Sequence, residues 1–350
     1  MKETYSVGVI GCGRMAGSID DEMWRYPNWK GPYSHAAGYT ACERTRIVAA
    51  CDPLEEKRRV FGERYGIPAT NLFADHREML AKVPLDIVSV TTHAPVHCEP
   101  VLATIEAGVP AVFCEKPLAS SLEECDAMVS AAEAAGTVTA VGTLRRWGGV
   151  WNQIIRMIES GDAGAPLQVV QFSGGTLLHT ESHFFDLGRY LLGNPVPAWA
   201  VGHLIEPVRS DDGTMNDCRG HGYVRFDSGA EYYLVGPGCL RMETELHCEK
   251  ATFRVYNNGD SARIWNAEPD SESRYTKERA FEIDRDAPSG TLAAVNEIVS
   301  CLDSGGETRC SFRDGLYAVE MGIAFHESER RGNCRVDWPL TDRSLKVMAR

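Results

Sequence analysis

The 350-residue chain contains no apolar run approaching the ~18 residues that a membrane span requires. It has no dense block of Lys and Arg either. Its formal net charge is −13, and a surface of that sign disfavours nucleic acid and anionic lipid, so neither is an expected partner. None of the twelve cysteines forms a Cys-x-x-Cys pair, and their irregular spacing offers neither a zinc site nor a disulfide framework. Several of them, including Cys12, Cys51, Cys98 and Cys114, fall in apolar strands or at their ends, as buried thiols of a cytoplasmic protein do. The start, Met1-Lys2-Glu3-Thr4, carries an acid and runs almost at once into a strand, which is not a secretory pattern. The acidic loop 210–213 lacks the remaining ligands of a calcium loop and reads as a solvated turn. What remains is an ordinary globular composition, 43% apolar and 24% charged. Its length exceeds the ~250–300 residues at which single cores stop growing, so two domains are expected.

The most informative stretch is Val7-Gly8-Val9-Ile10-Gly11-Cys12-Gly13-Arg14-Met15-Ala16-Gly17. An apolar strand, a glycine turn and a helix start are the parts of a dinucleotide-binding βα unit. Gly11 permits the turn, Gly13 admits a pyrophosphate to the backbone, and Ala16 allows close helix–strand packing. The phosphates would lie at the helix N-terminus, with Gly11, Gly13, Arg14 and Met15 as the candidate contacts. A second strand, Ile47-Val48-Ala49-Ala50-Cys51, ends at Asp52, the candidate acid for the ribose hydroxyls. A carboxylate there favours NAD and repels the 2′-phosphate of NADP, while Arg58 and Arg59 read as solvated helix charges. Asp52 follows Ala16 by 36 positions, against about 20 in a standard unit. Residues 20–34, with four aromatics, two prolines and no clear period, account for the excess as an insertion. Trp24 and Tyr33 within it are candidates for a substrate wall. The same aromatics could equally pack on the parent domain or on a partner subunit.

Four further strands alternate with helices as far as residue 142, predicting a doubly wound parallel sheet whose ligands lie at the carboxyl ends of the strands. Asp52, Thr91, Thr92, His97, Glu115 and Lys116 all fall at those ends. From Arg145 the pattern changes to a helix at 150–159 and strand-like alternation from Leu167. Candidate strands lie at 199–205, 221–227, 230–235, 246–256 and 262–266, with an Asp227-Ser228-Gly229 hairpin. The expected organisation is an α/β Rossmann domain at 1–144, then an α+β domain with an open, mostly antiparallel sheet at 145–350. Closing helices at 289–303 and 312–329 could pack back on the first domain. An open sheet face predicts a homodimer or homotetramer.

At Cys114-Glu115-Lys116-Pro117 the sequence resembles the glucose–fructose oxidoreductase and inositol dehydrogenase family (Gfo/Idh/MocA). The glycine turn, Pro95-Val96-His97, Arg145-Arg146, Gly161-Asp162-Ala163-Gly164, the segment 179–187 and Val336-Asp337-Trp338-Pro339 extend the likeness over nearly the whole chain. The resemblance implies hydride transfer between NAD(P) and a sugar or polyol carbon. It implies that Lys116 polarises the reacting hydroxyl and His183 is the general base, with Arg145, Trp147 and Thr180 near the substrate. Many members carry an Asp four residues before the histidine, where this chain has His179. If the segment is helical, His179 and His183 share a face. No third ligand accompanies them, so a metal is not expected, and His179 would bind another hydroxyl or share the acid–base role. Three functions are therefore in play: an NAD-dependent sugar or polyol dehydrogenase, an NAD-dependent glycosidase or lyase working by transient oxidation, and a catalytically silent NAD-binding protein.

Overall fold

In a computed structural model covering residues 2–25, 30–236, 238–239, 242–266 and 277–349, the apolar run of the glycine stretch forms strand β1 (Tyr5–Ile10). Val7 and Val9 are fully buried, as a strand covered on both faces of a sheet requires. The chain divides into two units, the first made of Met1–Trp147 with Pro288–Leu316 and Ala349–Arg350, and the second of Gly148–Ala287 with Tyr317–Met348.

The first unit continues through α1 (His35–Ala41), β2 (Thr45–Cys51), α2 (Glu55–Tyr65), β3 (Leu72–Phe73), α3 (His76–Lys82) and β4 (Ile87–Val90). Then follow α4 (Cys98–Glu106), β5 (Ala111–Cys114), α5 (Leu122–Ala135) and β6 (Val138–Val141). Every strand pairing is parallel, and the order β3-β2-β1-β4-β5-β6 is that of a Rossmann domain. Ser34, Asp75 and Ser121 cap α1, α3 and α5 by accepting an orphan backbone N–H. The order reverses between β1 and β4, which places the switch point at Gly11 and Thr91.

The helix expected directly after the glycines lasts only one turn. Residues 18–25 are a 3-10 helix, and α1 starts at His35. Yet the N–H groups of His35 and Ala36 donate to the carbonyls of Met15 and Ala16, at 3.1 and 3.0 Å. Those are the partners of an uninterrupted helix, reached twenty positions along instead of four, so sixteen residues are looped out. Removing them returns Asp52 to the usual distance from the fingerprint. Asp20 anchors the loop by accepting the N–H groups of Tyr33 and Ser34, and Asp21 pairs with Arg64. Residues 26–29 of this segment lie outside the described residues.

The second unit begins with α6 (Gly149–Glu159), β7 (Pro166–Phe172) and α7 (Ser182–Leu191). Its strands then run β8 (Pro197–Ile205), β9 (Met215–Asn216), β10 (Arg219–Phe226), β11 (Glu231–Val235), β12 (Glu243–Cys248), β13 (Ala251–Tyr256), β14 (Ser261–Asn266) and β15 (Lys277–Phe281). The chain closes with α8 (Gly290–Ser304), α9 (Phe312–Arg330), β16 (Val336–Asp337) and β17 (Val347–Met348). Nine strands make one sheet, β15-β14-β13-β12-β7-β11-β10-β8-β16, antiparallel except where β11 meets β7. The single strand expected at 246–256 is two strands, broken at Glu249-Lys250 where the chain reverses. The expected hairpin at 227–229 joins β10 to β11, with Gly229 at φ +89°. Helix α8 belongs to the first unit, where the Thr291 hydroxyl donates to the Tyr33 carbonyl at 2.7 Å and the Thr291 methyl fills the space beside Gly38.

One face of the large sheet is covered by α7 and α9. Gly202 of β8 and Gly222 of β10 are directly paired, and Phe325 of α9 lies across both. A Cβ on Gly202 would stand 2.5 Å from the Phe325 Cβ, and one on Gly222 would stand 2.7 Å from its Cζ. The two glycines are therefore a socket for a fully buried ring. Gly202→Val should cost about 1–3 kcal/mol by overpacking, read as a lower urea midpoint in unfolding of the full chain.

Candidate active site

Three strand ends converge on the glycine turn of the first unit. The Gly11 N–H donates to Cys51 O at 2.7 Å, and the Thr91 hydroxyl donates to Gly11 O at 2.6 Å. Gly11 has φ +90°, and a Cβ there would press to 3.0 Å on the Thr91–Thr92 backbone. Glycine is required at that point. Thr91 thus braces the turn from beneath, whereas its neighbour Thr92 has a buried hydroxyl with no hydrogen-bond partner among the described residues. A Cβ on Gly13 would meet nothing within 4 Å. Asp52 is 6% exposed, with one carboxylate oxygen accepting the Cys12 N–H and the other the Leu54 N–H, both at 2.9 Å. Each oxygen keeps further acceptor capacity. An open Cβ side at Gly13, an unsatisfied hydroxyl at Thr92 and a carboxylate at the end of β2 fit a dinucleotide with two ribose hydroxyls.

The other expected cofactor contacts differ in their surroundings. Arg14 is exposed, and its guanidinium makes a two-pronged ion pair with Glu22 of the inserted loop, at 2.8 and 2.9 Å. Met15 supplies the carbonyl that receives α1. His97, expected at the cofactor edge, is fully buried: Nδ1 lies 3.0 Å from Pro117 O and 3.2 Å from Leu118 O, and Nε2 lies 3.1 Å from Thr92 O. Burial pulls its proton affinity below the ordinary histidine value. It is a brace between two loops, the one after β4 and the one carrying Lys116. Glu115 is buried as well. Burial would raise its carboxyl, but the His35 imidazole and the charge of Lys116 hold it below the usual range. Lys116 is half-buried, and its backbone N–H donates to Glu115 Oε2 at 3.1 Å.

Of the expected substrate residues in this unit, Trp147 is not at a surface. It is 3% exposed and donates its indole N–H to Glu297 of α8. The neighbouring Arg146, fully buried, donates to Arg309 O at 2.7 Å and pairs with Asp314. Trp147 is packing material between the 144–147 turn and α8. Arg145 is half-buried beside it. Trp24, 75% exposed, lies under the Arg25 guanidinium at 5.2 Å, and Tyr33 is half-buried with its backbone held at both ends.

In the second unit, α7 starts at Ser182, so His179 is not on the helix that carries His183. The cause is Asp217. Its carboxylate accepts the Thr176 hydroxyl at 2.7 Å and the Leu178 and His179 N–H groups at 2.8 Å. Those bonds hold the 176–180 segment as a turn and leave His179 exposed. Thr180 is seated against Gly175, where a Cβ would lie 2.3 Å from the threonine side chain. His183 is half-buried on α7, between the buried Ser182 and Phe184, and Asp186 is buried one turn later. Asp217, His35 and Glu22 carried no sequence signal. Their partners are backbone groups or residues distant in the chain, and no spacing announces them.

The two glycines of the turn separate folding from binding. Gly13→Val should change stability by no more than about 0.5 kcal/mol, as an unobstructed position allows. The same substitution should weaken NADH binding at least ~tenfold by blocking approach to the backbone, measured by NADH fluorescence beside a thermal melt.

Residues 5–143 match the family model described as Oxidoreductase family, NAD-binding Rossmann fold, and residues 168–337 match its C-terminal alpha/beta domain. The chain is 31% identical to D-apiose dehydrogenase from Paraburkholderia graminis, over 85% of each protein. It is 28% identical to scyllo-inositol 2-dehydrogenase (NAD(+)) from Bacillus subtilis, over 86% of this chain and 91% of that one. Among solved structures, aldose-aldose oxidoreductase from Caulobacter crescentus superposes with a TM-score of 0.78 at 21% identity, covering 95% and 99% of the two chains. Levoglucosan dehydrogenase with NADH and levoglucosan superposes at 0.76 and 21%, covering 96% and 100%. With both domain models matched in order and a relative of this identity spanning most of the chain, the protein belongs to the Gfo/Idh/MocA oxidoreductase family.

Proposed function

We propose that the protein is an NAD-dependent dehydrogenase acting on a ring carbinol of a sugar, glycoside or cyclic polyol. The observation that carries this reading is the Glu115-Lys116-Pro117 turn at the carboxyl end of β5, next to the switch point of a sheet built for a dinucleotide. The inositol and apiose dehydrogenases among its relatives support the same substrate class. NAD, when bound, supplies the hydride acceptor. Lys116 donates a hydrogen bond to the reacting hydroxyl and stabilises the alkoxide as charge builds on oxygen. His183 takes the hydroxyl proton, a task suited to an imidazole whose unperturbed pKa lies near working pH. His179, on its exposed turn, binds a second hydroxyl or shares the proton transfer.

The preference for NAD over NADP rests on Asp52 and its neighbours. The Arg58 guanidinium bonds the carbonyls of Asp52 and Pro53 at 3.3 and 3.2 Å, and Arg59 pairs with Glu56 and Glu63 along α2. Both arginines are thus engaged in the helix start rather than arranged as a phosphate clamp. A reducing, cytoplasmic setting accords with twelve unpaired cysteines, most of them buried. No helix among the described residues is long and apolar enough to cross a membrane.

The face of the nine-stranded sheet opposite α7 and α9 carries Trp199, Tyr223 and Tyr233, with ring centroids 5.0 and 4.9 Å apart along the row. A row of half-buried aromatics on that face supports self-association with closed symmetry. Light scattering should report a dimer or tetramer, and a monomer would remove that part of the reading.

A panel of sugars and inositols with NAD should give net NADH for at least one of them. Sugar release without net NADH would replace the dehydrogenase by the glycosidase reading. Lys116→Ala should lower kcat on the substrate so found by at least ~10², the usual size for a lost transition-state donor. Near-full turnover in that variant would remove its assigned role.

A further inference from the structure

A buried chain of polar groups in the first unit leads from α1 to the turn that carries Lys116. The Tyr39 hydroxyl lies 3.3 Å from Ser89 Oγ, Ser89 Oγ lies 2.6 Å from His35 Nδ1, and His35 Nε2 lies 3.0 Å from Glu115 Oε1. Glu115 Oε2 then accepts the Lys116 N–H at 3.1 Å. Tyr39, Ser89 and His35 are fully buried and Glu115 is 3% exposed. The His35 ring is stacked on Phe113 at 4.0 Å, which fixes its plane. Gly142, at the end of β6, makes room for the carboxylate: a Cβ there would stand 2.7 Å from Glu115 Oε1.

The order of donors along this chain follows from proton counting. With Glu115 ionised, Tyr39 O–H donates to Ser89, Ser89 O–H donates to His35 Nδ1, and His35 Nε2–H donates to the carboxylate. Every link then has one proton and the imidazole is neutral. In the reverse order Glu115 is protonated and donates to His35, and the Tyr39 proton is left with no acceptor in the chain. A buried network is stable when every member is satisfied, which selects the ionised form of Glu115. Burial favours the neutral acid on its own, so the carboxylate charge depends on the donors that reach it.

We propose that His35 is a positioning residue: through Glu115 it maintains a buried negative charge beside Lys116 and so keeps that lysine an ammonium at working pH. The proposal deepens the dehydrogenase reading and rests on Lys116 being the polarising cation. The groups facing Glu115 are His35 from α1, which Ser89 of β4 links to Tyr39, His97 from the loop after β4, and Cys114 and Lys116 on its own strand and turn. Burial lowers the proton affinity of His97 and keeps Cys114 a thiol. Lys116 is the cation on the same turn, and its charge favours the ionised form of Glu115. Opposite charges favour each other's ionised form, so removing the anion lowers the pH at which Lys116 loses its proton.

That pH can be read without turnover. The full-length protein is treated with trace acetic anhydride over a pH series, and acetylation of Lys116 is followed by peptide mass spectrometry. In Glu115→Gln and His35→Leu the labelling midpoint should fall by about one pH unit, the size of a lost opposite charge. The alkaline limb of kcat/KM should move down by the same amount. His35→Gln, whose amide N–H can replace the Nε2–H, should restore most of both. If His35→Leu does not fold, Ser89→Ala leaves the imidazole in place and should give a smaller shift of the same sign. An unmoved midpoint in the folded variants overturns the proposal, even where activity is lost. Full turnover in Lys116→Ala would instead remove the dehydrogenase role while the labelling still reports on the charge pair.

Discussion

The glycine turn at the end of β1 is the constraint on which the first unit depends, because three strand ends are tied to it at once. Gly11 gives its N–H to β2 and its carbonyl to Thr91 at the end of β4, and Asp52 holds the Cys12 N–H. The Asp52 oxygens that take the Cys12 and Leu54 N–H groups keep further acceptor capacity for a ribose. The Cβ side of Gly13 is open, and the Thr92 hydroxyl has no hydrogen-bond partner among the described residues. A site of this kind is paid for by strand-end hydrogen bonds rather than by the ligand, and a preformed site loses little entropy when a ligand enters it.

The inserted loop follows the same logic. A segment of sixteen residues can leave a helix and return only if the helix closes behind it, and the bonds from His35 and Ala36 back to Met15 and Ala16 do this. Loop closure grows slowly with length, so the insertion is cheap once its ends are fixed. Asp20, Asp21 and Glu22 then secure its first half to the domain. The loop meets the glycine turn through Glu22, which engages Arg14. The insertion is therefore electrostatically connected to the glycine turn, and its aromatic Trp24 is displayed at the surface rather than used in the core.

Much of this was legible in the sequence where a local rule operates. The six parallel strands, the displaced Asp52 and the hairpin at 227–229 follow from apolar runs, glycine turns and spacing. Other features depended on partners that the linear order hides. His97 looked like a cofactor contact because its position at a strand end is informative, but the fact that decides its role is three carbonyls brought from two loops. Trp147 looked like a substrate residue until α8, some 150 positions later, supplied Glu297. His179 and His183 have helical spacing. The spacing was misleading because a carboxylate nearly forty residues downstream captured the N–H groups of Leu178 and His179. In each case a nonlocal hydrogen bond overrode a local pattern.

Those cases share one physical device. Asp52, Asp20, Asp217 and Glu115 each turn a carboxylate toward backbone N–H groups at a bend. A carboxylate accepting such bonds is a strong organiser, since charge-assisted hydrogen bonds are roughly twice as strong as neutral ones. It also places negative charge beside the segment that carries the proposed chemistry: Asp52 by the ribose position, Asp217 by His179, Glu115 by Lys116. The acids that shape the bends therefore set the local potential as well. A substitution that removed only the charge, such as Asp to Asn, would disturb geometry and electrostatics together at these positions. That coupling is why the electrostatics around Lys116 have to be read from its proton affinity, and why loss of rate alone says little about any of the four acids.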